Sequence, residues 1–185
     1  MPPLTPMPPP RHRLTADEAL DRLRAGRPIS SCHVSGTLAL GDTWNQEIVL
    51  EQCVVEHLSG ICTSFSKPVK LRNCHFQECQ FTFSYFLGGL SIEACTFESY
   101  LDFQAGGHNQ GGASVCIANS RFASFVNFFD CQYESAVVIT DNQFLGGTNL
   151  LGRPHNIPVT FDVAPLLARN SGQLDLNDEG PTYAD

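Results

Sequence analysis

The stretch "LEQCVV" at 50–55 returns as "LRNCHF" at 71–76 and again as "IEACTF" at 92–97. Aligned on the cysteine, Cys32, Cys53, Cys74 and Cys95 stand 21 apart. The slot then passes to Ser120 at a step of 25, and to Asn142 and Ala164 at steps of 22. Two positions after the slot come Val34, Val55, Phe76, Phe97, Phe122, Phe144 and Leu166. Three before it come Ile29, Leu50, Leu71, Ile92, Ile117, Ile139 and Phe161. Five before it come Ile48, Val69, Leu90, Val115, Val137 and Val159, with Arg27 breaking the column at its start. A fixed period of this size means stacked structural repeats, each too small to bury its apolar face alone.

The spacing within a repeat selects the kind of stack. Positions −5 and −3 alternate as a strand does, and so do positions 0 and +2. Between −3 and 0 the phase slips by one, which marks a corner. Ser31, Gln52, Asn73, Asn119 and Asp141 stand at that corner, and such side chains bond nearby backbone in tight bends. A third short side is suggested by Leu38 and Leu40, Phe81 and Phe83, Leu101 and Phe103, and Val126 and Phe128. Too few residues separate the columns for a helix in every turn. The expectation is an all-β chain, a parallel β-helix of about seven rungs spaced about 4.8 Å apart. Its expected core includes Leu50, Leu71, Ile92, Ile117, Cys53, Cys74, Cys95, Phe76, Phe97 and Phe122.

The runs "NCHFQECQFTF" and "EACTFESYLDF" resemble pentapeptide-repeat proteins, in which a small residue sits two before a Leu or Phe in every pentapeptide. Cys74/Phe76, Cys79/Phe81 and Cys95/Phe97 carry the likeness, which covers about positions 70–103. The resemblance implies a right-handed β-helix, often dimeric. Some members mimic DNA and shield topoisomerases. Four pentapeptides make a coil of about 20, near the observed 21, while steps of 21–25 also suit a three-sided coil.

Open solenoid ends expose strand edges and need caps. "LTADEALDRLRAG" supplies one as a helix over 14–27. Thr15 and Glu18 form a capping box, Gly26 stops the helix, and Ala16, Ala19, Leu20 and Leu23 share a face. Residues 1–13 read as a disordered Pro-rich tail, 28–166 as the β-solenoid, and 167–185 as a short cap followed by an acidic tail.

A net charge of −8 argues against direct binding to nucleic acid or to an anionic membrane surface. No apolar run approaches a membrane span of about 20 residues, and the N-terminus has no apolar signal core. Eight cysteines without such a signal read as reduced thiols, so the expected location is cytoplasmic. The Cys ladder reads as a small apolar residue fitting a corner rather than as a metal site, because Ser, Asn and Ala replace it in later rungs. His33 and His75 share a column with Val54 between them, about 9–10 Å apart and too far for one metal. No cofactor is expected. No column stacks two carboxylates at the distance that glycoside hydrolysis needs, so an enzyme of the carbohydrate-active β-helix kind is the least favoured reading.

Residues 28–166 carry 12 acids against five bases, which suits a DNA mimic in sign. The acids form no column, whereas duplex DNA presents one charge per about 1.7 Å of axis. The leading expectation is therefore a non-catalytic module for protein interaction or assembly. The Gly-flanked insertion "AGGHNQGGAS" at 105–114 puts His108, Asn109 and Gln110 on a loop expected to be mobile. Trp44, Phe65 and Tyr85 occupy the equivalent edge on earlier rungs. These six residues form the expected contact surface for another protein, and the open C-terminal end is the expected place for a homodimer.

Overall fold

The computed structural model describes residues 9–180. They form a parallel β-solenoid of about six turns. One sheet stacks Ile29–Ser30, Ile48–Glu51, Val69–Arg72, Leu90–Glu93, Val115–Ala118, Val137–Thr140 and Leu166–Ala168 in sequence order. Every pairing in it is parallel, with Leu50, Leu71, Ile92, Ile117 and Ile139 in register. A second sheet runs from His12–Thr15 through Cys32–Ala39, Val54–Ser59 and His75–Gln80 to Ser171–Gly172. A last side is marked by short pairings that align Thr43, Ser64, Tyr85, Gly107, Gln132 and Thr160.

Burial explains the step of 21. On the coil from 69 to 86, the buried residues are Val69 and Leu71, Cys74 and Phe76, Cys79 and Phe81, Ser84 and Phe86. These are four pairs, each five positions beyond the last, so one coil has four short sides. Corners between sides hold non-glycine residues at positive φ, which is sterically disfavoured outside tight turns. Ser31, Gln52, Asn73, Ala94, Asn119, Asp141 and Arg169 form one such row. Cys62, Phe83, Ala105 and Asp130 form another.

Like residues stack along the axis. Phe76, Phe97, Phe122 and Phe144 form a near-parallel column with centroids 4.9, 5.1 and 4.9 Å apart. Phe81, Phe103 and Phe128 form a second, at 5.6 and 5.1 Å. These distances are the inter-strand spacing of a sheet carried into the core.

At the N-terminal end the helix α1, Ala16–Arg24, lies against Cys32–Ala39 and buries Ala19 and Leu23. Its capping box is complete: the Thr15 amide donates to Glu18 Oε2 (2.8 Å), and the Glu18 amide donates to Thr15 Oγ1 (3.2 Å). Strand pairing already begins at His12, inside the segment read as a tail. Residues 1–8 and 181–185 of the two expected tails lie outside the described residues.

Two expectations about register are corrected. Phe83 does not pair with Phe81 inside the coil: it sits at a corner, 49% exposed, and Cys79 is the inward partner. At the last turn Leu167 pairs with Ile139 and Ala168 with Thr140, so Asn170 fills the slot, not Ala164. The final step, from Asn142 to Asn170, is the longest in the column because positions 146–158 add an excursion. Phe161 belongs instead to the last side, stacked on Tyr133 at 5.5 Å. The Phe161–Leu166 phase mimics the repeat, but pairing follows the backbone register.

Candidate functional site

The slot column does more than fit a corner. At each corner the backbone turns an N–H along the axis, and the slot side chain of the next rung accepts from it. The Cys53 amide donates to Cys74 Sγ (3.5 Å), and the Cys74 amide donates to Cys95 Sγ (3.5 Å). The Cys95 amide donates to Ser120 Oγ (3.1 Å), Ser120 to Asn142 Oδ1 (2.9 Å), and Asn142 to Asn170 Oδ1 (3.1 Å). Cysteine, serine and asparagine share an acceptor at about the same reach, which alanine lacks. This signal was present in the replacement series Cys, Ser, Asn. Burial pushes the Cys79 thiol well up and Cys131 up to about 12; Cys74 is also raised, chiefly by burial. All eight cysteines are free.

A second polar ladder lies one side further on. Asn127 Nδ2 donates to Asp102 Oδ1 (3.0 Å), and Asn149 Nδ2 to Asn127 Oδ1 (2.6 Å). Asp102 also accepts from the Gln104 amide (2.9 Å) and the Thr82 hydroxyl (2.9 Å). Burial still holds its carboxyl above the usual carboxylate range, against those three donors.

The expected contact edge divides. Trp44 and Phe65 are core residues, so they are withdrawn from it. Trp44 Nε1 donates to the Leu40 carbonyl (2.6 Å), and Phe65 stacks on Phe86 at 5.3 Å. The alternation of the last side points Thr43, Ser64 and Tyr85 outward and their successors in. Asn109 is also withdrawn: it is fully buried. Its Nδ2 donates to the carbonyls of Ala113 (2.9 Å) and Ala136 (3.1 Å), and its Oδ1 accepts from the Ser135 amide (3.3 Å). The 105–114 segment is therefore pinned by its own asparagine, which takes an interior place on the coil.

Tyr85, His108 and Gln110 remain outside. Tyr85 is 40% exposed, and its ring meets His108 edge-on at 4.6 Å. His108 Nδ1 is held by Glu134 Oε1 at 2.8 Å. A carboxylate-oriented imidazole suits proton transfer, but among the described residues no hydroxyl or thiol is hydrogen-bonded to its other ring nitrogen. Phe83 and Ile61, 49% and 40% exposed, flank this spot on successive coils. Spacing alone missed them because both lie at corners.

Outer charges form pairs across rungs. Glu56 meets His33 (3.0 Å), Glu78 meets His57 (2.9 Å), Glu98 lies near His75 (3.8 Å) and Arg121 (3.9 Å), and Asp141 meets Arg169 (2.6 Å). Lys70 pairs with Glu47, and Arg72 lies 3.9 Å from Glu93. Such exposed pairs contribute little, because water and salt screen them. Asp42, Glu51, Asp130 and Asp162 on the coils belong to none of these pairs and are scattered over different sides. Among the described residues no three His, Cys, Asp or Glu side chains converge as a metal site, and no helix is long and apolar enough to cross a membrane. Compared with known proteins, the chain matches no family model, no curated protein and no solved structure.

Proposed function

We propose that this chain is a non-catalytic, pentapeptide-repeat-like right-handed coil acting as a rigid protein-interaction or assembly module in the cytoplasm. The observation that carries the reading is the contrast between a filled interior and an exposed aromatic patch on an outer edge. Ile61 on one coil and Phe83 and Tyr85 on the next stand exposed, with Tyr85 against His108, on a scaffold whose core aromatics are otherwise enclosed. Exposed aromatic clusters on rigid supports favour protein contacts. The test is capture from the cell extract by the native chain and by a Phe83→Ser/Tyr85→Ser variant. A specific protein held by the first and lost by the second supports the edge; equal capture by both removes it.

The alternative is a DNA mimic that engages a DNA-binding enzyme such as a topoisomerase. The cross-rung pairing of the acids weighs against it. Capture of such an enzyme, released steeply as salt rises, would favour it. A homodimer through the C-terminal end is part of the assembly reading, supported by Val163 and Leu166 exposed at the last turn. Light scattering at high concentration tests it, and a monomer rules it out.

A further inference from the structure

Beyond the last strand, residues 173–180 stay on the solenoid. Residues 173–176 continue the stack as a further rung on 148–151, and 177–180 then run back along its outer side. The Thr148 amide donates to the Gln173 carbonyl (2.9 Å), the Leu151 amide to the Leu174 carbonyl (2.8 Å), and the Leu176 amide to the Thr148 carbonyl (3.2 Å). Asn177 Oδ1 then accepts from the Arg153 amide (2.7 Å). The Asp178 carbonyl accepts from Asn149 Nδ2 (2.9 Å), and the Glu179 carbonyl from the Tyr100 hydroxyl (2.8 Å). The Glu179 carboxylate meets His155 Nε2 at 2.8 Å. Gly180 closes the run over the stacked rings of Tyr100 and Phe125.

Three features make the receiving surface a groove for peptide rather than a chance resting place. Its floor is cut away: a Cβ on Gly152 would overlap the Leu176 carbonyl, and a Cβ on Gly147 would overlap the Leu176 side chain. Its far end selects glycine, since a Cβ on Gly180 would lie 2.6 Å from Phe125 Cδ1 and 2.9 Å from Tyr100 Cε2. Its charge is complementary at one point, where His155 meets the Glu179 carboxylate. Residues 173–180 bring Asp175, Asp178 and Glu179 and no base, while the receiving loop offers Arg153 and His155 on a chain of net charge −8. Leu174 anchors the strap against the core, while 177–180 are only weakly integrated. Asp175, Asn177 and Asp178 are exposed, and 177–179 are held by hydrogen bonds that water can replace. Segments of this kind open locally well before the fold does.

We propose that Tyr100, Phe125, Asn149, Gly152, Arg153 and His155 form a recognition groove for an extended acidic peptide of Asn-Asp-Glu-Gly type. Residues 177–180 occupy that groove in cis as a displaceable strap, tethered by the rung at 173–176. The groove is separate from the Tyr85 edge, so it stands or falls independently of that surface. A short tether gives the strap an effective concentration in the mM range, so a partner's peptide competes only when it binds better or when the strap is released.

The experiment uses a fluorescent peptide with the sequence of residues 173–180, titrated by anisotropy. The full chain, a chain ending at Gly172, and the full chain carrying Gly180→Val are compared, with folding checked by circular dichroism. The chain ending at Gly172 should bind at least tenfold more tightly than the full chain. His155→Ala in the shortened chain should weaken binding several-fold, and a peptide with lysine at its three acids should not bind. A folded shortened chain that ignores the peptide, or that takes the lysine peptide equally well, overturns the proposal. Should shortening unfold the protein, Gly180→Val decides. It should speed hydrogen exchange at the Leu176 and Leu151 amides and raise peptide affinity; faster exchange without gained binding overturns the groove.

Discussion

Replacing Phe97 with alanine tests the stacked core at its centre. The ring is 1% exposed and lies between Phe76 at 4.9 Å and Phe122 at 5.1 Å. Removing roughly 150 Å² of buried ring surface at about 25 cal/mol per Å² forfeits about 4 kcal/mol. Two lost ring contacts, about 0.5–1.5 kcal/mol each, add to this, and partial collapse of neighbours offsets some of it. The expected net loss is about 3–5 kcal/mol, in line with large-to-small changes in packed cores. Against a total stability of about 5–15 kcal/mol for ordinary domains, that is a large share. Urea unfolding should be followed by circular dichroism and by the fluorescence of Trp44, the single tryptophan, which is buried near the N-terminal end. Coincident transitions license a free energy; separated ones reveal that the array unfolds in sections. Leu145→Ala, at an exposed site, serves as control and should change stability by less than about 0.5 kcal/mol. A Phe97→Ala loss below about 1 kcal/mol would refute the stacked register.

Other outcomes follow from the ladders and the buried groups. Cys95→Ala deprives the Cys74 amide of its acceptor and should cost about 1–3 kcal/mol, whereas Cys95→Ser should cost clearly less. Equal losses in urea melts would return the slot to a matter of size. Under native conditions a thiol reagent should label Cys62 first and Cys116 more slowly, with the other six protected until denaturant is added; rapid labelling of Cys131 would contradict its raised pKa. Asp102 has a folded pKa above its unfolded value, so its contribution is present below about pH 4 and is lost as pH rises through the folded value. Asp102→Asn can keep all three hydrogen-bond partners, so its stability relative to the native chain should improve from about pH 4 to about pH 7; a constant difference would show that burial does not penalise the charge. Glu56 and Asp141 run the other way. Their pKa values are lowered, chiefly by the Gly36 amide and by Arg169 respectively, so their contribution is present above the usual carboxylate range and lost on acidification. Arg169→Ala should therefore flatten the acid limb of a pH–stability curve.

Much of the architecture is legible in the chain because burial imposes period 2 within a strand and the coil imposes a period near 21 between strands. Leu71, Ile92 and Ile117, or Phe76, Phe97 and Phe122, are apolar for a reason that needs no coordinates: each must cover the one before it. The capping box at Thr15 and Glu18 is equally local. What spacing cannot carry is the register after an insertion of variable length, since backbone pairing and not side-chain phase decides where the chain rejoins the sheet. Asn170 thus holds the slot that Ala164 occupies on spacing alone. Nor does composition tell which residue of a pair on the last side turns inward, which is why Trp44 and Phe65 are core while Tyr85 is surface. Asn109 looks like a loop residue because its polarity is visible and its three backbone partners are not. The sequence by itself determined the period, the core columns and the N-terminal cap. Only the tertiary structure decided the hydrogen-bonding role of the slot, the pinning of the glycine-rich loop and the return of residues 177–180 over Tyr100 and Phe125. Each of these joins groups from different coils or closes a loop through space, and no local preference encodes such a meeting.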